Sequence, residues 1–340
     1  MFEIIEAKKI IDSILKELPE RNRDIISRHF ELGEKKLPQK ETLQEIGDDY
    51  GITRERVRQI EEKGLDLFQK SSYFPKLRKY FSEIENYIDT NGGLKREDIL
   101  VSQFSPQATI QPYFLFLLKL GEPFYYHNES NLFYSFWRTR EETIELARKI
   151  NEILAEWLEK EKRILEEEMF LEEAKEYLFK NFKIDLLREV LLSYIEAGKK
   201  IEKNPFDSYG LSDWPEIKPK GARDKAYLIL KKEGKPLHFR EITELIKEKL
   251  SFPVQINTLH NELIKNENFI LIGKGIYALR EWGYKKGTVK EIIEEILKEK
   301  GALTREEILE EIANQRLVKE DTIIFNLQHF KKTEGGKYEI

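Results

Sequence analysis

Ile4, Ile5, Ile11, Ile14, Leu15 and Leu18 recur at helical spacing, which predicts an amphipathic helix over residues 2–18 ending before Pro19. Residues 20–32 and 42–69 carry three more helical patterns, broken by Gly33, Pro38 and Gly51, and this all-helical stretch ends near Ser71-Ser72. A short motif then occurs three times. Its copies are Gly93-Leu94-Lys95-Arg96-Glu97-Asp98-Ile99-Leu100, Lys235-Pro236-Leu237-His238-Phe239-Arg240-Glu241-Ile242 and Gly301-Ala302-Leu303-Thr304-Arg305-Glu306-Glu307-Ile308-Leu309. Each copy follows one helical segment and opens another; Thr304 and Glu307 have the spacing of a capping box. An apolar helix and a short strand pair come next in each case. The pairs are Phe124–Tyr126 with Phe133–Trp137, Phe269–Ile272 with Ile276–Leu279, and Phe330–Lys332 with Tyr338–Ile340.

Three helices and then a hairpin is the winged-helix order. Between the first and second copies, Arg138–Lys180 reads as a long charged helical segment with an apolar stripe of Ile144, Ala147, Leu154, Trp157, Leu165, Leu171, Ala174 and Leu178. A second helix follows at about Leu186–Lys200. This middle reads as a spacer or partner-binding arm, or equally as a solvated scaffold. Pro205, Gly210, Pro215, Pro219 and Gly221 then predict a linker. The expected fold class is mainly α and multidomain: helix-turn-helix and winged-helix units joined by a long helical segment, with short β-hairpin wings. The expected divisions are 1–72, 73–138, 139–204 for the arm, 205–220 for the linker, 221–283 and 284–340.

Composition narrows the function. Charged residues make up 36% and hydrophobic ones 40% of the 340 residues, against typical values of about 25% and 45–50%. That favours several small helical units over one thick α/β enzyme. The absence of cysteine excludes disulfides, thiolate nucleophiles and cysteine-ligated zinc. The five histidines, His29, His127, His238, His260 and His329, form no i, i+4 pair, so no metal site is expected. Neither a signal peptide nor a membrane-length apolar run is present, and the expectation is a cytoplasmic, nucleoid-associated chain. The net charge of −5 misleads as a whole-chain figure. Glu141–Lys180 holds 13 acidic and 7 basic residues, a net of −6, which leaves +1 for the remainder.

The densest chemistry lies in Thr42-Leu43-Gln44-Glu45-Ile46-Gly47-Asp48-Asp49-Tyr50-Gly51-Ile52-Thr53-Arg54-Glu55-Arg56-Val57-Arg58-Gln59-Ile60-Glu61-Glu62-Lys63. A helix, a turn at Gly51 and a second helix opened by Thr53 make a helix-turn-helix. At 3.6 residues per turn, Val57, Ile60, Gly64 and Leu67 are expected to pack inward. Arg54, Glu55, Arg58, Gln59 and Glu62 face outward, with donors and acceptors suited to base edges: Arg for guanine, Gln for adenine, Glu for cytosine.

These residues, with Leu18-Pro19-Glu20-Arg21-Asn22-Arg23-Asp24-Ile25-Ile26-Ser27-Arg28-His29-Phe30 before them, resemble region 4 of the sigma-70 family over about residues 16–70. The resemblance implies that Arg54, Glu55 and Gln59 read a −35-type element in double-stranded DNA. It implies that Thr42, Thr53, Arg58 and Lys63 hold phosphates or support the helix, and that the domain docks on bacterial RNA polymerase at the β flap or another core surface. Gly64 stands where that family tends to have alanine, and Asp66 where a basic residue is common. One helix precedes Leu18-Pro19, so the expected role is accessory to another promoter-opening factor.

A second, vaguer resemblance covers about residues 221–282. Lys220-Gly221-Ala222-Arg223-Asp224-Lys225-Ala226-Tyr227, the second motif copy and Gly273-Lys274-Gly275-Ile276-Tyr277-Ala278-Leu279 are similar to a HARE-type helix-turn-helix, the winged-helix family of the RNA polymerase delta subunit. It implies interaction with protein or nucleic acid and fixes no contact residue.

One decoy stands apart. Asp207 or Asp213 followed by Glu216-Ile217-Lys218 imitates a nuclease magnesium site, but the flanking prolines predict a linker that cannot converge its carboxylates. No catalytic residue, cofactor, small-molecule substrate or membrane partner is expected. Two classes stay open: a DNA-reading transcription regulator, and a winged-helix interaction scaffold of the transcription machinery that reads no sequence.

Overall fold

The computed structural model describes residues 4–33, 40–313 and 315–340. Phe2 and Glu3 of the first predicted helix, and the connector around Pro38, lie outside the described residues. The chain is mainly helical with small antiparallel sheets of two or three strands. It forms two compact units, Met1–Lys162 with Glu168–Glu202, and Arg163–Glu167 with Lys203–Ile340.

The first unit opens with α1 (Ile4–Glu17), α2 (Glu20–His29), α3 (Leu43–Tyr50) and α4 (Arg54–Gln69). The break between α1 and α2 falls at Pro19, whose ring disfavours helical geometry in the residue before it. A 3-10 turn leads to α5 (Arg78–Thr90), β1 (Leu94–Arg96), α6 (Glu97–Phe104), α7 (Gln111–Leu120), β2 (Tyr125–His127), β3 (Phe136–Arg138) and α8 (Thr143–Glu161). The strands pair antiparallel in the order β1-β3-β2, with Leu94 opposite Arg138 and Tyr126 opposite Trp137.

The division expected at residue 72 is absent from the packing. Ile11, Ile14 and Phe68 share one hydrophobic core with Leu77, Phe81, Phe114, Phe116 and Leu117. Phe116 lies 5.0 Å from Phe30 and meets Phe68 edge-on at 5.3 Å. The Tyr113 hydroxyl accepts from the Gly33 amide at 2.9 Å and donates to Asp12 at 2.8 Å. α7 is apolar nearly all round, so it is buried by two sets of partners at once.

Past Lys162, in left-handed backbone at φ 53°, come β4 (Leu165–Glu166), α9 (Glu167–Phe182), α10 (Arg188–Ala197), β5 (Ile201–Lys203) and β6 (Ser208–Leu211). The segment expected as a spacer, partner-binding arm or solvated scaffold contains three helices, and α10 packs on α8 and β1. Ser193 donates to the Leu94 carbonyl at 2.6 Å, Asn151 to the Tyr194 carbonyl at 2.7 Å, and buried Lys95 pairs with Glu196 at 2.8 Å. A solvated arm would leave these polar groups in water; here each has a partner.

In the second unit, the expected linker at 205–220 is instead ordered: β6 is buried along its length, pairs antiparallel with β4, and Ile217 is buried behind it. Then follow α11 (Ala222–Glu233), β7 (Leu237–His238), α12 (Phe239–Leu250), α13 (Ile256–Lys265), β8 (Phe269–Gly273) and β9 (Ile276–Leu279). Their sheet has the order β7-β9-β8 over a core of Ile229, Leu230, Leu237, Ile246, Leu259 and Tyr277. Finally α14 (Val289–Lys300), α15 (Arg305–Ala313), α16 (Glu320–Leu327), β10 (Lys331–Lys332) and β11 (Tyr338–Glu339) enclose Ile292, Ile293, Ile296, Ile308 and Ile323. Buried Arg316 ties this last group to β8, donating to the carbonyls of Leu271 and Gly287, while the Leu317 amide donates to Ile272 at 2.8 Å.

The shared core makes a sharp expectation. Phe116→Ala removes a ring from between Phe30 and Phe68 and costs about 3–5 kcal/mol. Amide exchange should quicken in α2 and α4 as well as in α7. Retained protection in α2 and α4 would mean that 1–72 folds apart from the rest.

Candidate nucleic-acid interface

The helix-turn-helix is built from its caps inward. Thr42 caps α3: its hydroxyl accepts from the Glu45 amide at 3.2 Å, and the Glu45 carboxylate accepts from the Thr42 amide at 2.7 Å. That backbone bond holds the Glu45 carboxyl below its ordinary range. α3 ends at Gly51 in left-handed geometry, φ 61°, and Ile52 donates to the Gly47 carbonyl at 2.9 Å. Thr53 then caps α4 through the Arg56 amide at 3.2 Å. Gly47 is where the turn closes on α3. A Cβ there would stand 2.7 Å from the Ile52 carbonyl oxygen, a backbone atom unable to retreat.

α4 is held on its inner side by Val57, Glu61, Gly64 and Phe68. Gly64 answers a packing need: a Cβ would meet Ile26 Cδ1 at 2.8 Å and Asn22 at 3.2 Å, and Asn22 donates to the Ile60 carbonyl at 2.8 Å. The glycine thus lets α2 approach α4 closely, at a helix-propensity cost of roughly 0.5–1 kcal/mol. Leu67, expected inward, is 36% exposed, and Phe68 takes its place in the core. Spacings of four, three and four residues from Val57 to Phe68 set the buried stripe, and Leu67 falls at its edge.

Three contacts escaped sequence reasoning. Glu61 is buried and sits 3.0 Å from His29 Nδ1. Arg28 bridges Glu41 and Asp49, which holds its guanidinium more firmly protonated and ties α2 to the approach and end of α3. Tyr50 donates to Asp24 at 2.9 Å. Glu61 had one available signal, its i+4 place on the Val57 stripe; the other two join residues remote in sequence.

The five residues expected to face outward, Arg54, Glu55, Arg58, Gln59 and Glu62, are all exposed, and so is Lys63. Several of them engage one another. Arg58 donates to both Glu55 oxygens, at 2.9 and 2.7 Å, and also to Glu62. The cation lowers the Glu55 carboxyl below its ordinary range. Arg56 donates to Gln59 at 3.0 Å. Arg54 and Lys63 make no side-chain hydrogen bond among the described residues. Arg58 thus orients Glu55 as well as offering its own charge. The surrounding field is weak, since residues 14–68 hold 11 Lys or Arg against 13 Asp or Glu.

Asp207 pairs with Lys203 at 3.0 Å, and among the described residues no three His, Asp or Glu side chains are grouped to hold a metal. Nor is any described helix long and apolar enough to cross a membrane.

Gly47→Ala should lower unfolding free energy by about 1–3 kcal/mol through overpacking against a fixed carbonyl. Urea denaturation measures it, and an unchanged midpoint would show that the turn can relax.

Comparison with known proteins agrees with this geometry. The family profile Sigma-70, region 4, matches residues 14–68. The chain is 37% identical over 75 residues to the RNA polymerase sigma factor RpoD of Helicobacter pylori strain 26695, covering 22% of this chain and 11% of that protein. It is 33% identical over 73 residues to the RNA polymerase sigma factor SigA of a Bacillus species, covering 22% of this chain and 19% of that protein. The chain therefore spans under a fifth of the length of these relatives. Residues 14–68 are a sigma-70 region 4 domain, folded here as a helix-turn-helix.

Proposed function

We propose that this chain is a non-enzymatic transcription regulator that reads a −35-like promoter element in double-stranded DNA. α4 enters the major groove, where Arg54, Glu55 and Gln59 address base edges. Thr42 and Thr53 support the helix ends, and Arg58 and Lys63 hold phosphates. Arg58 also positions Glu55, a pairing already made in the free protein. The observation that carries this reading is the exposed row of base-reading side chains on the helix that follows the Gly47–Thr53 turn. We further propose association with bacterial RNA polymerase, at the β flap or another core surface, and a cytoplasmic, nucleoid-associated location.

The acidic balance of residues 14–68 favours a second reading, a scaffold of the transcription machinery that reads no sequence. Base-specific losses separate the two. Arg54→Ala, Glu55→Ala and Gln59→Ala should each cost about 1–3 kcal/mol on cognate duplex and less on scrambled duplex. Lys63→Ala should weaken both alike. Equal losses on both duplexes for Arg54→Ala would overturn base reading and leave the scaffold.

A further inference from the structure

Each of the three hairpin-bearing segments has a helix directly before its hairpin, and the three helices differ in what they expose. α7 is committed to the core, with Tyr113, Phe114, Phe116, Leu117, Leu118 and Leu120 all buried, so it cannot enter a groove. α16 begins with Glu320 and Asp321, both exposed, which repel phosphate at the end a recognition helix would present. α13 has neither obstacle. Gln255, Asn257, Thr258 and Asn261 are exposed, and their side chains make no hydrogen bond among the described residues. Across residues 251–265 the one acid is Glu262, half-buried.

Cations frame this helix. Phe239 stacks on His260 of α13 at 4.3 Å, and Arg240 lies over Phe239 at 5.9 Å. Gly275 lies against His238 and Phe239, so close that a Cβ would stand 2.6 Å from His238 Nε2; this brings the hairpin tip, with exposed Lys274, to the same side. His238 itself caps α12, accepting from the Arg240 amide at 3.3 Å. Arg240, Lys265 and Lys274 have no acidic partner among the described residues, whereas Lys231, Lys247 and Lys249 of the same segment are ion-paired. Residues 221–283 hold 11 Lys or Arg against 8 Asp or Glu, the most basic stretch among the three hairpin-bearing segments.

We propose that α13 is a second DNA-reading helix, entering the major groove of duplex DNA with Asn257, Thr258 and Asn261 toward base edges. Asparagine pairs bidentately with adenine and Thr contacts either base type, so the site favours an A·T-containing block. Arg240, Lys265 and Lys274 hold phosphates on either side. The chain then reads two separate blocks of duplex, one with α4 and one with α13. This goes beyond the region 4 reading and does not depend on it.

Selection of full-length protein against a random duplex library tests this, with the recovered sequences compared between variants. The wild type should enrich two blocks. Asn257→Ala with Asn261→Ala should lose one block, weakening its binding by about 5- to 100-fold, and keep the other. Arg54→Ala with Gln59→Ala should do the reverse. Lys274→Ala should reduce the salt slope of binding by about 0.9 without changing either block. Both asparagines are exposed on a helix, so circular dichroism should show the double variant folded. A single block that the α13 variant keeps would overturn the proposal, as would loss of protein binding in that variant with its DNA motif intact. An α13 block without an α4 block would uphold this inference while refuting the region 4 reading.

Discussion

The buried stripe of α4 is the constraint on which the helix-turn-helix depends. Val57, Glu61, Gly64 and Phe68 are held against α2, α3 and the aromatic core, so the remaining face of α4 has nowhere to go but outward. Two glycines make that approach possible. Gly47 lets the turn close on α3, and Gly64 lets α2 close on α4. Each gives up side-chain contact to gain proximity of backbones, and the gain is orientation of the exposed row. A base-reading side chain is useful only if its helix cannot roll, because base edges discriminate by the geometry of paired hydrogen bonds.

The same core reaches beyond the helix-turn-helix. Phe116 inserts between Phe30 and Phe68, and Tyr113 joins Gly33 to Asp12, so the segment after residue 72 serves as the back wall of the segment before it. That explains why α7 is apolar on nearly every side and presents no reading face. Burial and recognition compete for the same residues, and in α7 burial has taken them.

The two candidate reading helices differ in their state before binding. On α4 part of the polar row is internally paired, with Arg58 on Glu55 and Glu62 and Arg56 on Gln59, while Arg54 and Lys63 make no side-chain hydrogen bond among the described residues. Some of those bonds must be exchanged for bonds to DNA, which lowers the net gain but fixes rotamers in advance. On α13 the amides and hydroxyl make no hydrogen bond among the described residues, and binding must order them. The first arrangement favours geometric discrimination; the second depends more on the flanking cations.

Local rules read much of this chain without coordinates. Helical spacing located α1 to α4, Gly51 and Thr53 located the turn between α3 and α4, the Thr304–Glu307 spacing located the cap of α15, and the outward row from Arg54 to Glu62 follows from 100° per residue. Capping and periodicity act within a turn or two, so sequence alone determined them. It could not determine which helices share a core. Nothing local distinguishes Phe116 packed on its own segment from Phe116 packed on Phe30 and Phe68, and residues 205–220 carry the turn residues of a linker although Ser208–Leu211 among them pair as strand β6. Glu61 turned inward to His29, Leu67 left at the surface and Arg28 bridging two carboxylates were likewise decided by tertiary structure. Each depends on a partner brought near only when the chain has closed, and that closure is governed by burial summed over many remote residues.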